Sequence, residues 1–464
     1  MHKVAIIGGG PGGYVAAIRL QQYGIDCVVF EKKRIGGVCL NEGCIPTKSL
    51  VKVADLFSEM KEAESFGLKV LDFKVDYEAV WQRKNRIVEQ LVSGVEFIFK
   101  KRNIPIIKEC VIEIKKIATG YKIITTEGQY QSQYLILATG SQPKELPFLK
   151  FDGEKILSST DILDMKELPE SLVVIGGGVI GCEFASIYNQ MGVKTHVIEF
   201  LPNLIATEDN EISKRLNMAL KKSGIAVLLN TSVDSYENSE NKIVLNLSDG
   251  KKIETEKVLL SVGRKALFDV TFESLELVNG FININDEMRT NLPNVFAIGD
   301  VTGKKMLAHT ASKQGLLVAD LLKNELCSTG RKTKKINYDL IPSCTFTNPE
   351  IGSVGMTEEQ ARERFEAISV GKFPFTANGK ALGAGYTFGF VKTISDAKTK
   401  MLLGMHIIGP QATELIAQGG ILLGTKASSH VIEDVIFAHP TLSEAIMESI
   451  EDLESLAIHK MLKN

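Results

Sequence analysis

Apolar positions near the N-terminus fall in short unbroken runs. Val4–Ile7 (VAII) is bounded by Lys3 and by glycines, the pattern of a buried strand. An alanine-containing stretch with helical spacing follows. A second apolar run, Cys27–Phe30, then closes on Glu31. The same order returns later: VVIGGGVIG at 173–181, a helical stretch, and Thr195–Ile198 closing on Glu199. Gly8 to Glu31 and Gly176 to Glu199 are both 23 positions. Two strand–helix–strand units of equal length predict an α/β chain with two doubly wound, Rossmann-like units. Residues 50–105 carry apolar positions at helical spacing with Lys and Glu between them, predicting long helices. Strands of the first unit resume at 134–139 (YLILAT) and 295–298 (VFAI), so the second unit is expected as an insertion. Beyond about 340 the pattern changes to strand-like segments (CTFT, ISVGKFPF, FGFVKTI, MLLGMHII). Helical stretches follow at Ala412–Leu423 and Leu442–Leu462. The expected division is 1–150 with 281–340, an inserted 151–280, and an α+β domain at 341–464.

Length fits this division: 464 residues exceed one ordinary core. With 44% hydrophobic and 24% charged residues the composition is that of a globular protein. A net charge of -2 with no basic block argues against a nucleic-acid partner. There is no apolar run long enough to span a bilayer, so no membrane partner is expected. The chain enters a strand directly from Lys3, and a cytoplasmic location is expected. Seven sparse cysteines are no disulfide framework.

The chemistry begins at the glycines. In Gly8-x-Gly10-x-x-Gly13 the first glycine permits a tight turn, the second lets a pyrophosphate reach the backbone, and the third lets helix and strand close up. The helix N-terminus then offers unpaired N–H groups to phosphate. Glu31 stands where a carboxylate binds an adenosine ribose. Gly176-x-Gly178-x-x-Gly181 and Glu199 repeat the arrangement. No Arg follows Glu199, which favours NAD over NADP, since a carboxylate repels a 2′-phosphate. Cys39 and Cys44 lie in GGVCLNEGCIPTK. On a regular helix five positions turn about 500°, which separates the pair; a break at Gly43 would bring the sulfurs together. Lys48 favours thiolate. Taken alone, the spacing fits two unrelated core thiols equally well. A metal site is not expected, because no second Cys/His pair accompanies it. Among the histidines, His439 stands out: Pro440 follows, and Glu444 is close enough to orient its ring. Thr441 or Ser443 is positioned to cap the helix that begins there.

The segment GGxCxNxGCIPxK resembles the redox-active segment of the flavin-dependent pyridine nucleotide–disulfide oxidoreductases, and the similarity runs over nearly the whole chain. The resemblance implies FAD in the first unit, held by Gly8, Gly10, Gly13, Glu31 and Lys48, and by Ala138, Thr139, Gly140 and Ser141 of the LATGS segment. Asp300, closing TNLPNVFAIGD, would bind the ribityl chain, with Met306, Leu307, Ala308 and His309 beside the flavin and Val111 touching it through its backbone. NAD would lie in the second unit on Gly176, Gly178, Gly181 and Glu199, near Val233 and Gly263. The resemblance makes Cys39 and Cys44 a redox-active disulfide, pairs Glu183 with Lys48, and makes His439 with Glu444 the acid/base. It also implies that His439 serves the partner subunit of an obligate homodimer.

FTNPEIGSVGMTEEQA, FPFTANGKA and AHPTLSEA resemble the dihydrolipoamide dehydrogenase branch, whose partners are the lipoyl domains of 2-oxo acid dehydrogenase or glycine cleavage complexes. Departures from that branch are Phe437 where a second His is common, ANGKA for ANSRA, SVGRKA without Pro-Asn, and a less acidic AHTASKQG. The rival readings are a glutathione-reductase-like enzyme, a flavin NADH oxidase, and a docking subunit with secondary catalysis.

Overall fold

Hydrogen bonding organises the chain around three large sheets. The computed structural model describes residues 1–328, 330 and 335–461. His2–Ile7 is central in the first sheet, parallel to Cys27–Phe30 on one side and to Gln129–Leu137 on the other. Val4, Ala5 and Ile6 are fully buried, as expected for a strand covered on both faces. The chain enters α1 (Pro11–Gln22), returns through Cys27–Phe30, and passes into α2 (Gly37–Glu42), α3 (Cys44–Lys61) and α4 (Tyr77–Lys101). An antiparallel meander of Val111–Ile117, Gly120–Thr125 and Gln129–Leu137 widens the sheet, and Val295–Ala297 joins it parallel to 135–137.

The second unit repeats the plan. Ser171–Ile175 leads through α5 (Val179–Gln190) to Lys194–Ile198, and α6 (Asn210–Lys222) leads on to Ala226–Leu228. With Lys257–Leu260 and Ile156–Leu157 these make an all-parallel, five-stranded sheet. A three-stranded antiparallel ribbon spans 233–255.

The chain rejoins the first sheet earlier than expected. Thr271–Phe272 pairs in parallel with Glu113–Ile114, and Arg264–Ala266 pairs with Ser141–Pro143. Residues 264–266 and 271–272, within the 151–280 unit, thus hydrogen-bond to segments of the 1–150 unit. Short strands of three and two residues give no periodicity to read. Helix α7 (Ala308–Cys327) then lies along α1; a Cβ at Gly315 would stand 2.5 Å from the carbonyl oxygen of Gly12, so glycine lets the two helices touch.

The third sheet is antiparallel, in the order 343–345, 350–355, 402–409, 390–396, 368–374. Helices Ala412–Gly424 and Glu444–Glu451 pack against it. The expected helix to Leu462 is corrected: it stops at Glu451, followed by one 3-10 turn and by Ser455 in the left-handed region. Glu448 draws the tail back, accepting from the N–H of Ile458 at 2.9 Å and from the ring of His459 at 2.5 Å. Leu462 itself lies outside the described residues. Among the described residues no helix is long and apolar enough to cross a membrane.

Candidate active site

The two glycine loops are built alike. Gly8 and Gly176 both have φ +108°, and a Cβ on either would meet a backbone oxygen, of Ala138 at 2.3 Å or of Ser261 at 2.5 Å. At Gly13 and Gly181 a Cβ would stand 1.9 Å and 2.0 Å from the oxygens of Gly8 and Gly176. Gly10 and Gly178 present open faces. The acids close the loops: Glu31 Oε2 accepts from Gly9 N–H at 2.8 Å, and Glu199 Oε2 from Gly177 N–H at 2.5 Å. Their other oxygens accept from Lys33 N–H and Leu201 N–H. Val233 is buried in the same core as Ile198, and Gly263 (φ +107°) precedes the strand that pairs with Ser141–Pro143.

A cleft runs over the first loop, lined by Gly8, Glu31, Glu109, Val111, Thr139 and Leu267. The Thr139 hydroxyl is buried with no protein partner, as in a site built for a polar ligand. Glycine faces, a carboxylate and an unpaired hydroxyl around one cleft fit a dinucleotide. Ala138 and Gly140 flank Thr139, and Ser141 donates to Asp300 Oδ2 at 2.5 Å. Asp300 follows Gly299, whose N–H donates to the buried Gln314 at 2.6 Å. Met306 and Leu307 lead into α7 through Ala308, and His309 bonds the carbonyl of Pro342 at 2.9 Å. Burial holds the His309 ring below its ordinary value, with Pro342 opposing.

The cysteines straddle a break in the helix. Cys39 lies in α2 and Cys44 is the first residue of α3, with Gly43 between them at φ −153° and ψ −107°. Both are free thiols, in hydrogen-bonding reach of each other. The hydrogen bond from Cys39 lowers Cys44 to about 7; Lys48 helps and burial opposes. Cys39 moves upward, first because it donates that bond and then by burial. Lys48, one turn along α3, binds both oxygens of Glu183 of α5 at 3.1 and 3.0 Å. Glu183 is only 4% exposed.

His439 stands apart from this pair within one chain. Its side chain is 78% exposed, and its Nδ1 lies 2.8 Å from Glu444 Oε1. Burial raises Glu444, but the Thr441 N–H at 2.7 Å and the His439 ring outweigh it and hold the carboxyl low. The expected side-chain cap does not form: Ser443 receives Gln418 instead, and Thr441 donates to Ala438.

Residues 2–315 match the pyridine nucleotide-disulphide oxidoreductase model, and 341–450 match the dimerisation domain of the same enzymes. The chain belongs to the pyridine nucleotide-disulphide oxidoreductase family. It is a flavoprotein disulfide oxidoreductase that uses FAD and NAD(H). It is 37% identical to a dihydrolipoyl dehydrogenase of Bacillus subtilis over 99% of both chains. It is 38% identical to a mitochondrial dihydrolipoyl dehydrogenase of Pisum sativum, over 99% of this chain and 92% of that one. LpdA from Mycobacterium tuberculosis shares the fold at a TM-score of 0.88 and 23% identity, over 98% and 100% of the chains. The HOCl-induced flavoprotein disulfide reductase RclA of Escherichia coli superposes at 0.84 with 26% identity, over 97% and 99%.

Several site residues carry no sequence signal of their own. Gln314 sits in the second turn of α7 as a buried polar residue. Arg264 lies in the SVGRKA motif, yet its grip on Ser141 (Nε to Oγ, 2.7 Å) joins segments 123 positions apart. Glu109 enters the cleft from the loop before the meander.

Proposed function

We propose that the chain oxidises dihydrolipoamide to lipoamide and reduces NAD+ to NADH. The observation that carries this is the thiol pair astride Gly43, with the more acidic thiol at a helix start one turn from Lys48, which pairs with the buried Glu183. A helix N-terminus and an ammonium both favour the departing thiolate. The full-length similarity to dihydrolipoyl dehydrogenases supports lipoamide as the dithiol.

In the oxidised enzyme Cys39 and Cys44 form a disulfide. His439, with Glu444 fixing its tautomer, takes a proton from one substrate thiol. That thiolate attacks Cys39 Sγ, forming a mixed disulfide and releasing Cys44 as thiolate beside Lys48. The second substrate thiol then attacks the first sulfur, its proton passing to Cys39 as the bond to Cys39 breaks. Lipoamide leaves with its ring disulfide closed, and Cys39 is released. The pair now holds the two electrons. FAD, when bound, supplies the two-electron path from the dithiol to NAD+. For FAD, Gly8, Gly10, Gly13 and Glu31 would hold the pyrophosphate and ribose. Thr139, Ser141 and Asp300 would meet polar groups further along. Gly176, Gly178, Gly181 and Glu199 would hold NAD+, Glu199 accepting from a free 2′-OH.

Because His439 is exposed and remote from Cys39 along its own chain, it is read as serving the partner subunit of a homodimer. The domain division proposed is 1–150 with the return segment for FAD, the inserted unit for NAD, and 341–464 for the dimer. Lipoyl domains of a 2-oxo acid dehydrogenase or glycine cleavage complex are the proposed macromolecular partners. Cys44→Ser should abolish dihydrolipoamide oxidation while FAD stays bound; full activity in that variant would overturn the proposal.

A further inference from the structure

The Lys48–Glu183 pair has a third member that comes from the far end of the chain. Strand Ser343–Thr345 runs out through 346 into a bend at 347–349, whose backbone reaches α5. Phe346 N–H donates to Glu183 Oε1 at 2.9 Å, and Asn348 N–H donates to Ser186 Oγ at 3.0 Å. The spacing explains the fit. Residues 183 and 186 share a helix face one turn apart, so the amides of 346 and 348 both find an acceptor on it. The same segment places the Phe346 ring against Lys48: Nζ stands 4.3 Å from the ring centroid. One residue thus holds both halves of the ion pair, the carboxylate by its amide and the ammonium by its ring face.

The ammonium needs such a hold. Lys48 is 32% exposed at its side chain and reaches Glu183 through a flexible stem. Glu183 alone would let Nζ swing around the carboxylate. The ring closes one side of that arc.

We propose that Phe346 is a positioning residue of the redox site, fixing the Lys48 ammonium toward Cys44 through its ring and Glu183 through its backbone. The inference rests on the redox-pair reading of Cys39 and Cys44, but not on which dithiol the enzyme oxidises. Cys44 feels Cys39 from α2, Lys48 from its own helix and Glu183 from α5. Tyr14 of α1 and Arg264 also lie within its electrostatic range, and Asp300 within that of Cys39. Of these groups, it is Lys48 that the ring of Phe346 meets.

The test uses FAD-loaded Cys39→Ser protein, in which Cys44 is the remaining thiol of the pair and the introduced hydroxyl keeps a donor beside it. The long-wavelength band of a thiolate against flavin is followed as a function of pH. Adding Phe346→Leu should raise the midpoint by about half a pH unit, the size expected of one partly exposed cation–π contact. Phe346→Tyr, which keeps the ring, should restore the original midpoint. In a Lys48→Met background Phe346→Leu should cause no further shift. Phe346→Met gives the same reading if the leucine variant does not fold. An unmoved midpoint in Phe346→Leu overturns the inference, and so does an equal shift with Lys48 absent. A Cys39→Ser protein without the band at any pH overturns the redox-pair reading and this inference with it.

Discussion

His439 and Cys44 are opposite cases at the scale of single residues. His439 is exposed and oriented by one carboxylate; Cys44 is partly buried and tuned by several neighbours. If His439 is the base for the dithiol, His439→Gln should cut kcat with dihydrolipoamide by about 100-fold or more while FAD content holds. A steady-state assay checks this, and near-normal turnover would remove the histidine from the mechanism. Cys44 is lowered to about 7, so its thiolate should develop as pH rises through about 7, well below the ordinary thiol range. Lys48→Met should move that midpoint upward, since the ammonium that favours the charged form is gone. A pH titration of alkylation rate in the reduced enzyme reads both. The identities of these residues were plain in the sequence, because GGxCxNxGCIPxK, HPTLSE and the glycine loops are contiguous. What single residues do to one another was not: Phe346 lies 298 positions from Lys48, and no local pattern announces a ring meeting an ammonium.

At the scale of elements, the two glycine loops offer a matched pair of changes. A Cβ at Gly13 would sit 1.9 Å from a backbone oxygen, and one at Gly181 would sit 2.0 Å from its counterpart. Neither contact can be relieved by a side-chain rotation, so each loop must open. Gly13→Ala should therefore lose FAD. Gly181→Ala should keep FAD and raise KM for NAD+ by about tenfold or more, the cost of a displaced pyrophosphate contact. Flavin absorbance per chain and NAD+ kinetics separate the two; loss of FAD in both would show that the second loop is not an independent site. These loops were legible because strand, glycines, helix and acid recur at equal spacing. The same periodicity overran helix 444–451. Leu442, Ile446, Ile450 and Leu453 keep an apolar face, but Glu448 binds the returning tail and Ser455 turns left-handed. Where that helix ends, Glu448 binds residues ten and eleven positions further on and draws the chain back.

At the scale of the whole molecule, the inserted unit is fastened to the third domain by a buried ion cluster. Lys392 (1% exposed) lies 2.9 Å from Asp209 (0% exposed) and 2.7 Å from Glu358. Burial alone would raise Asp209, but His406 and Lys392 outweigh it and hold the carboxyl below its ordinary 3.8. Lys392 goes the other way: burial lowers it, yet Glu358 and Asp209 lift it above 10.5. A depressed carboxyl contributes stability above its unfolded value and loses it as pH falls through the folded one. A raised lysine contributes below its unfolded value and loses it as pH rises through the folded one. The cluster is thus fully stabilising from weakly acid to moderately alkaline pH. Lys392→Met strands a buried carboxylate and should cost about 3–5 kcal/mol, measured by chemical unfolding at neutral pH. A loss under about 1 kcal/mol would show that the cluster does not carry this junction. Lys392 sits in a strand that reads as apolar (FGFVKTI), so the sequence marks it only as an ordinary lysine. The pairing of 264–266 and 271–272 was hidden for a related reason: its partners, 141–143 and 113–114, lie far away in the chain.

In the proposed cycle electrons enter through Cys39 and Cys44 and leave through the nucleotide of the second unit. An anaerobic titration of the FAD-loaded protein with dihydrolipoamide, followed in the visible, tests it most directly. A long-wavelength band should grow to completion at two electrons per chain, and NAD+ should then discharge it. Flavin that ignores the dithiol and bleaches with NADH alone, with no such band, would contradict it.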